Sequence, residues 1–148
     1  MIGEGRDGGD NGEYSAIYYK NKKLTLLTDQ TFWLSETPSI PSIGWDAALN
    51  RVATVVVFRI ISSNQKLIVY NTHFDHIGIQ AREKSVSVIL NHIKDNDFIN
   101  NEIIIMGDLN IILSENCIDN KIVRIKKSSY NSSQDENEPF NIFLNTYL

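Results

Sequence analysis

The sequence contains a single cysteine, Cys117, so an intrachain disulfide framework is excluded, and a reducing compartment suits the chain without being required. It has no apolar run long enough to cross a bilayer. The opening residues, Met1-Ile2-Gly3-Glu4-Gly5-Arg6-Asp7, lack the basic start and apolar core of a signal peptide. That favours the cytoplasm as far as these residues go, and sequence preceding Met1 would reopen the question. Excess positive charge is missing too: 14 basic against 18 acidic residues leave a formal net charge of −4, which argues against a general polyanion-binding surface. A phosphate-bearing ligand would therefore have to be held by a few placed cations or a metal. There is no internal repeat and no Gly-rich loop of the GxxxxGK type.

What remains is ordinary for a globular chain, with 42% hydrophobic and 22% charged residues in 148, enough for one domain with a substantial core. Residues 14–19 and 24–28 read as two strands around Asn21-Lys22-Lys23, a predicted hairpin. Residues 32–50 hold Pro38, Pro41 and both tryptophans, Trp33 and Trp45, and are expected to form an irregular, functional loop. Residues 52–61 are apolar on both alternating faces, as in a strand buried on two sides, with residues 67–72 as its hairpin partner. Val86, Ile89, Leu90 and Ile93 give residues 80–94 a helical period, and residues 102–106 return as a strand. Residues 114–138 are polar and loop-like apart from Ile122, Val123 and Ile125, and no element is assigned there.

Two apolar runs end in polar clusters. Ile103-Ile104-Ile105-Met106 leads into Gly107-Asp108-Leu109-Asn110, and Leu67-Ile68-Val69-Tyr70 leads into Asn71-Thr72-His73-Phe74-Asp75-His76. A buried strand fixes what its tip aims, so such tips are natural places for a site. Asp108 and Asn110 have two readings. They are good turn chemistry after a strand, or an acceptor that orients water or a metal-bound water beside a donor to a phosphate oxygen. His73 is either a satisfied core histidine or, with Asp75 on its strand face and His76 following, part of a metal cluster, although two imidazoles at this spacing make an incomplete zinc site. Glu13 either holds an imidazole in one tautomer or is a surface carboxylate. Arg51 is either a guanidinium placed for bidentate phosphate binding or a solvated strand-end charge. Trp33 and Trp45 read as packing residues, and Arg6 and Arg82 as solvated.

In order along the chain, Gly5-Arg6-Asp7, Gly12-Glu13-Tyr14-Ser15, Phe32-Trp33-Leu34-Ser35-Glu36-Thr37-Pro38, Trp45-Asp46-Ala47-Ala48-Leu49-x-Arg51, Asn71-Thr72-His73-x-Asp75-His76, Ala81-Arg82 and Gly107-Asp108-Leu109-Asn110 together resemble the endonuclease/exonuclease/phosphatase superfamily. The likeness runs from about residue 5 to 110, and the Phe-Trp-Leu-Ser-Glu-Thr-Pro block resembles a largely bacterial subgroup. It implies an α/β (α+β) fold, a two-layer β-sandwich flanked by helices with the site at one end. It implies phosphoester hydrolysis by in-line attack of water, assisted by Mg²⁺ or Mn²⁺. By position, His73 matches the histidine that bonds the scissile phosphate or leaving oxygen, and Glu13 matches its carboxylate partner. Asp108 and Asn110 match the pair that orients the nucleophile and contacts phosphate, with Asp108 a metal ligand, and Arg51 matches an arginine near the phosphate. Asp75 and His76 belong to the subgroup pattern without an implied role.

Relative to that family, the chain is expected to be incomplete at both termini. A Gln-Glu strand carrying the main metal carboxylate would precede it, and an Ile-Asp-Tyr-Ile-Phe strand and Ser-Asp-His motif would follow, with Pro139-Phe140-Asn141-Ile142-Phe143 resembling the family's Thr-Phe-x-Gly-Phe. Residues acting as a unit are not independently useful, so the chain alone is expected to be weak or inactive. The alternative is a truncated pseudoenzyme or gene remnant serving at most as a binding module. The implied partner is a phosphoester substrate, whether nucleic acid, phospholipid headgroup or sugar phosphate, with the acidic balance disfavouring long nucleic acid.

Overall fold

Two strands in this chain run parallel, which requires a crossover, and that crossover is the helix. The computed structural model describes residues 1–110 and the backbone of 121–125. Within them β1 (Leu24–Trp33), β2 (Val52–Ile60), β3 (Lys66–His73), β4 (Glu102–Asp108) and β5 (Lys121–Ile125) form one five-stranded sheet in the order β1-β2-β3-β4-β5. All neighbours are antiparallel except β3 and β4. Between those two the chain climbs back through α1 (Ile79–Asp95) and a short 3-10 turn, Phe98–Asn100.

The alternation of β2 explains its near-complete burial. Ala53, Val55 and Val57 join Phe32, Ile68, Tyr70 and Ile103 beneath Ile89 and Ile93 of α1, while Val56 and Phe58 face the opposite side with Val69 and Ile17. That second face is covered by the N-terminal segment, with Ile2, Tyr19, Leu24, Leu26, Ile104 and Met106 half-buried around it. The chain is therefore α/β as expected, with one sheet and two covered faces among the described residues. His92, on α1, stacks on Phe32 at 4.6 Å and meets the Tyr70 hydroxyl through Nδ1 at 2.9 Å. Burial lowers its pKa despite the nearby Asp95 and raises that of Tyr70, which keeps this contact uncharged.

The expected hairpin between residues 14–19 and 24–28 does not form. Residues 14–19 instead bridge back to the N-terminus, Ile17 to Ile2 and Tyr14 to Gly5, and β1 takes β2 as its partner over its whole length. The short polar turn at Asn21-Lys22-Lys23 suited a hairpin, but β2, apolar on both faces, is the better partner for β1. β1 also extends to Trp33, taking Phe32 and Trp33 out of the predicted loop and into the core. In the stretch where no element was assigned, β5 pairs with β4, Ile122 opposite Met106 and Ile125 opposite Ile103. Cys117 and residues 139–143 lie outside the described residues.

Gly107 shows how tightly the parallel pair is built. It sits opposite Thr72 at φ 132°, where an added Cβ would overlap the Thr72 carbonyl oxygen. A side chain there meets both backbone strain and a wall of backbone. Gly107→Ala should destabilise the chain by about 3 kcal/mol in urea denaturation, and a loss under about 1 kcal/mol would show that the β3–β4 ladder is looser than described.

Candidate active site

The β3–β4 register puts His73 directly opposite Asp108, and because the strands are parallel both side chains leave the sheet at the same end. Ligand sites of α/β sheets form outside the carboxyl ends of parallel strands for this reason. The ladder continues past the strand ends: the Phe74 N–H donates to the Asp108 carbonyl at 2.8 Å, and the Asn110 side-chain amide donates to the Phe74 carbonyl at 2.8 Å. Asn110 holds a left-handed backbone at φ 47°, which its short polar side chain tolerates, and its N–H donates to Asp108 Oδ1 at 2.9 Å.

Glu13 arrives from the N-terminal segment and places Oε1 3.2 Å from His73 Nδ1. On its other edge His73 Nε2 lies 3.8 Å from Asp108 Oδ2, beyond hydrogen-bond range. With Nδ1–H given to Glu13, Nε2 is the imidazole atom available to a ligand. One Asp108 oxygen accepts from Asn110, and the carboxylate as a whole is half exposed. Arg6, Glu13, Ser15, Asn50, Arg51, Val52 and His73 line a cleft of about 10 Å³. That is room for about one water-sized group, so the cleft is a shallow notch in an open surface rather than an enclosed pocket.

Glu13, His73, Asp108 and Asn110, expected from the sequence to act together, are thus brought together. Arg51 is placed differently from expectation. It is 4% exposed, its Nε donates to Asp75 Oδ2 at 3.2 Å and its terminal NH2 group donates to His76 Nδ1 at 2.9 Å. The edge that would grip a phosphate bidentately is already used, although Arg51 lines the cleft. His76 likewise spends its Nδ1 on Arg51. Asp75 does not stay on the His73 face: β3 ends at His73, and Asp75 turns fully into the interior.

Asp75 is the anchor of this end of the molecule. It accepts from the N–H groups of Ala48, Ile77 and Gly78 and from Arg51, and its carbonyl accepts from Arg82, which is therefore not simply solvated. Burial by itself would raise its pKa, but the Gly78, Ile77 and Ala48 amides and the Arg51 guanidinium outweigh it, leaving the carboxyl well below the usual range. A neighbouring carboxylate, Asp46, supplies the cap that Gly78 cannot: it accepts from Ala81 at 2.7 Å and Gln80 at 3.2 Å, the first amides of α1. Gly78 has no Cβ because Asp46 crosses there. The irregular loop is thus pinned to the helix start, and Arg51 to both.

Arg6 is the site residue that sequence reasoning missed. Its NH1 group pairs with Glu13 Oε2 at 2.8 Å, and it lines the cleft. The available signal was its place in Gly-Arg-Asp, seven residues before Glu13. Among the described residues no three Asp, Glu, His or Cys side chains converge as a metal would need. Asp108 alone does not make a site for a divalent cation.

No family model matches the sequence. Among solved structures, an endonuclease/exonuclease/phosphatase family protein from Bacteroides thetaiotaomicron is 40% identical, matched over 74% of this chain and 40% of its own, with a TM-score of 0.70. A mannosyl-6-phosphatase from the same organism is 39% identical over 77% of this chain and 43% of its own, with a TM-score of 0.72. An uncharacterized protein of Acanthamoeba polyphaga mimivirus is 32% identical over 97 residues, 64% of this chain and 36% of the relative. These likenesses, over about three quarters of this chain, define its fold class. The chain belongs to the endonuclease/exonuclease/phosphatase superfamily, and it spans about two fifths of the length of the relatives it matches. No helix among the described residues is long and apolar enough to cross a membrane.

Because the depressed Asp75 carboxyl binds protons more weakly folded than unfolded, its contribution to stability is complete above the unfolded value near 3.8 and is lost as pH falls through the lower folded value. Asp75→Asn should cost about 3 kcal/mol at pH 7, as for breaking a buried pair. It should also flatten the loss of stability between about pH 5 and pH 2 in urea titrations. An unchanged acid limb in the variant would show that Asp75 is not the linked group.

Proposed function

We propose that the complete protein hydrolyses a phosphoester by in-line attack of water on phosphorus at the end of the sheet where Glu13, His73, Asp108 and Asn110 meet, beside the cleft that Glu13 and His73 line. The observation that carries this reading is the register pairing of His73 with Asp108 at the carboxyl ends of parallel strands, with Glu13 bonded to the far nitrogen of the imidazole. Glu13 fixes the ring so that Nε2 faces the phosphoryl group, where a protonated imidazole donates to a phosphoryl or leaving oxygen. Asp108 Oδ2 is the acceptor that orients the attacking water. Asn110, which spends one amide hydrogen on Phe74 and its N–H on Asp108, retains a second amide hydrogen for a phosphate oxygen. Arg51 adds positive charge at the cleft wall.

In this reading Mg²⁺ or Mn²⁺ is a cofactor of the complete protein, supplying charge neutralisation, with Asp108 one ligand and the others outside the described residues. The likeness to a mannosyl-6-phosphatase and the net charge of −4 both favour a phosphomonoester, such as a sugar phosphate, over a phospholipid headgroup or long nucleic acid. A second reading, a pseudoenzyme that binds phosphate without turning it over, has in its favour that no three candidate metal ligands converge among the described residues.

Hydrolysis of sugar 6-phosphates and of bis(p-nitrophenyl) phosphate by the complete protein separates these readings. His73→Ala and Asp108→Ala should each lower kcat by roughly 10²–10⁴-fold, the usual contribution of a positioned acid or base. Chelation with EDTA should abolish turnover, and added Mg²⁺ or Mn²⁺ should restore it. Retained activity in both variants would remove the assignment of the site, and phosphate binding without turnover in the wild type would establish the second reading.

A further inference from the structure

We infer that Arg6 is a positioning residue, clamping Glu13 so that Glu13 in turn holds the His73 imidazole. The inference rests on the hydrolytic reading above and adds a member to its site. One carboxylate spans both partners: Oε2 takes the Arg6 guanidinium at 2.8 Å and Oε1 takes His73 Nδ1 at 3.2 Å. Glu13 is 51% exposed, so without Arg6 its side chain has rotamers that carry Oε1 away from the ring into water.

An exposed ion pair contributes little by itself, so what matters is how firmly Arg6 is fixed. Its N–H donates to the Glu13 carbonyl at 3.0 Å, closing the turn between them, and its carbonyl accepts from the indole N–H of Trp33 at 2.6 Å. Trp33 is 4% exposed at the end of β1, so the turn is tied to the sheet through a buried side chain. Within the same turn Asp7 accepts from the side chain of Asn50 at 3.0 Å, next to Arg51. The turn thereby links both cationic walls of the cleft. The Arg6 Nε is buried with no hydrogen-bond partner among the described residues. A merely solvated arginine would swing outward to satisfy it, and this one is held inward over Glu13 at a cost.

The rival role, direct contact with the substrate phosphate, predicts different kinetics. In the complete protein with p-nitrophenyl phosphate as probe, Arg6→Ala should lower kcat by about 10–100-fold, the range for partners that orient an active group. KM should stay within about twofold, because no ground-state contact is lost. Arg6→Lys should recover part of kcat, and Arg6→Ala should add nothing to Glu13→Ala, since both remove the same support. In ¹⁵N spectra of the His73 ring, the Nδ1-protonated tautomer should dominate in wild type and give way to a mixture in Arg6→Ala. An unchanged kcat, a loss confined to KM, multiplying effects in the double variant or an unaltered tautomer would each overturn the role. Should Arg6→Ala fail to fold, Arg6→Gln and Arg6→Lys carry the same measurements. His73→Ala separates the two levels: if it stays active, the hydrolytic reading fails, and if it is inactive while Arg6→Ala is normal, only this inference fails.

Discussion

The parallel pairing of β3 with β4 is the constraint on which the rest depends. In an antiparallel pair the two polar tips would sit at opposite ends of the sheet. Parallel pairing, forced by the α1 crossover, puts His73 and Asp108 side by side, and the register fixes their facing to the residue. Gly107 lets the strands close, the Phe74 and Asn110 bonds carry the ladder past its end, and the left-handed turn at Asn110 folds its backbone amide onto Asp108. The acid and the imidazole are thus set by sheet geometry rather than by loops.

Around that rigid pair the molecule fixes two irregular segments by polar contacts, of which Arg51 on Asp75 is fully buried. The loop that follows β1 is held through Asp46 on the first amides of α1 and through Ala48 and Arg51 on Asp75. The N-terminal turn is held through Trp33 and through Asp7 on Asn50. Each segment delivers one wall of the cleft, Arg51 from the loop and Glu13 with Arg6 from the turn. Polar groups buried at such junctions are costly unless satisfied, and the four donors gathered on Asp75 show how that cost is met here.

Much of this was legible in the sequence where local pattern and tertiary context agree. The apolar run of β2 on both its faces, the helical stripe through Ile89 and Ile93 and the polar tips after β3 and β4 pointed to the sheet, the helix and the convergence of His73, Asp108 and Asn110. Partner choice was legible for the β2–β3 hairpin but not elsewhere: nothing local told residues 14–19 to bridge the N-terminus instead of β1, or Ile122 and Ile125 to lie on a fifth strand. The same holds for Arg51, Asp75 and Arg6. Their residue types announced charge near a site, but which atoms were already taken by Asp75, His76 and Glu13 depends on contacts between residues up to 25 apart in the chain, visible only in three dimensions.

The account's central claim is that imidazole, carboxylate and carboxamide surround one phosphorus atom. The most direct test is a crystal structure of the complete protein soaked with orthovanadate. The account predicts vanadium bound in the cleft with His73 Nε2 and the Asn110 amide within hydrogen-bond distance of its oxygens and Asp108 on the side of the attacking oxygen. Vanadate seated elsewhere, with His73 and Asp108 turned away from it, would contradict it.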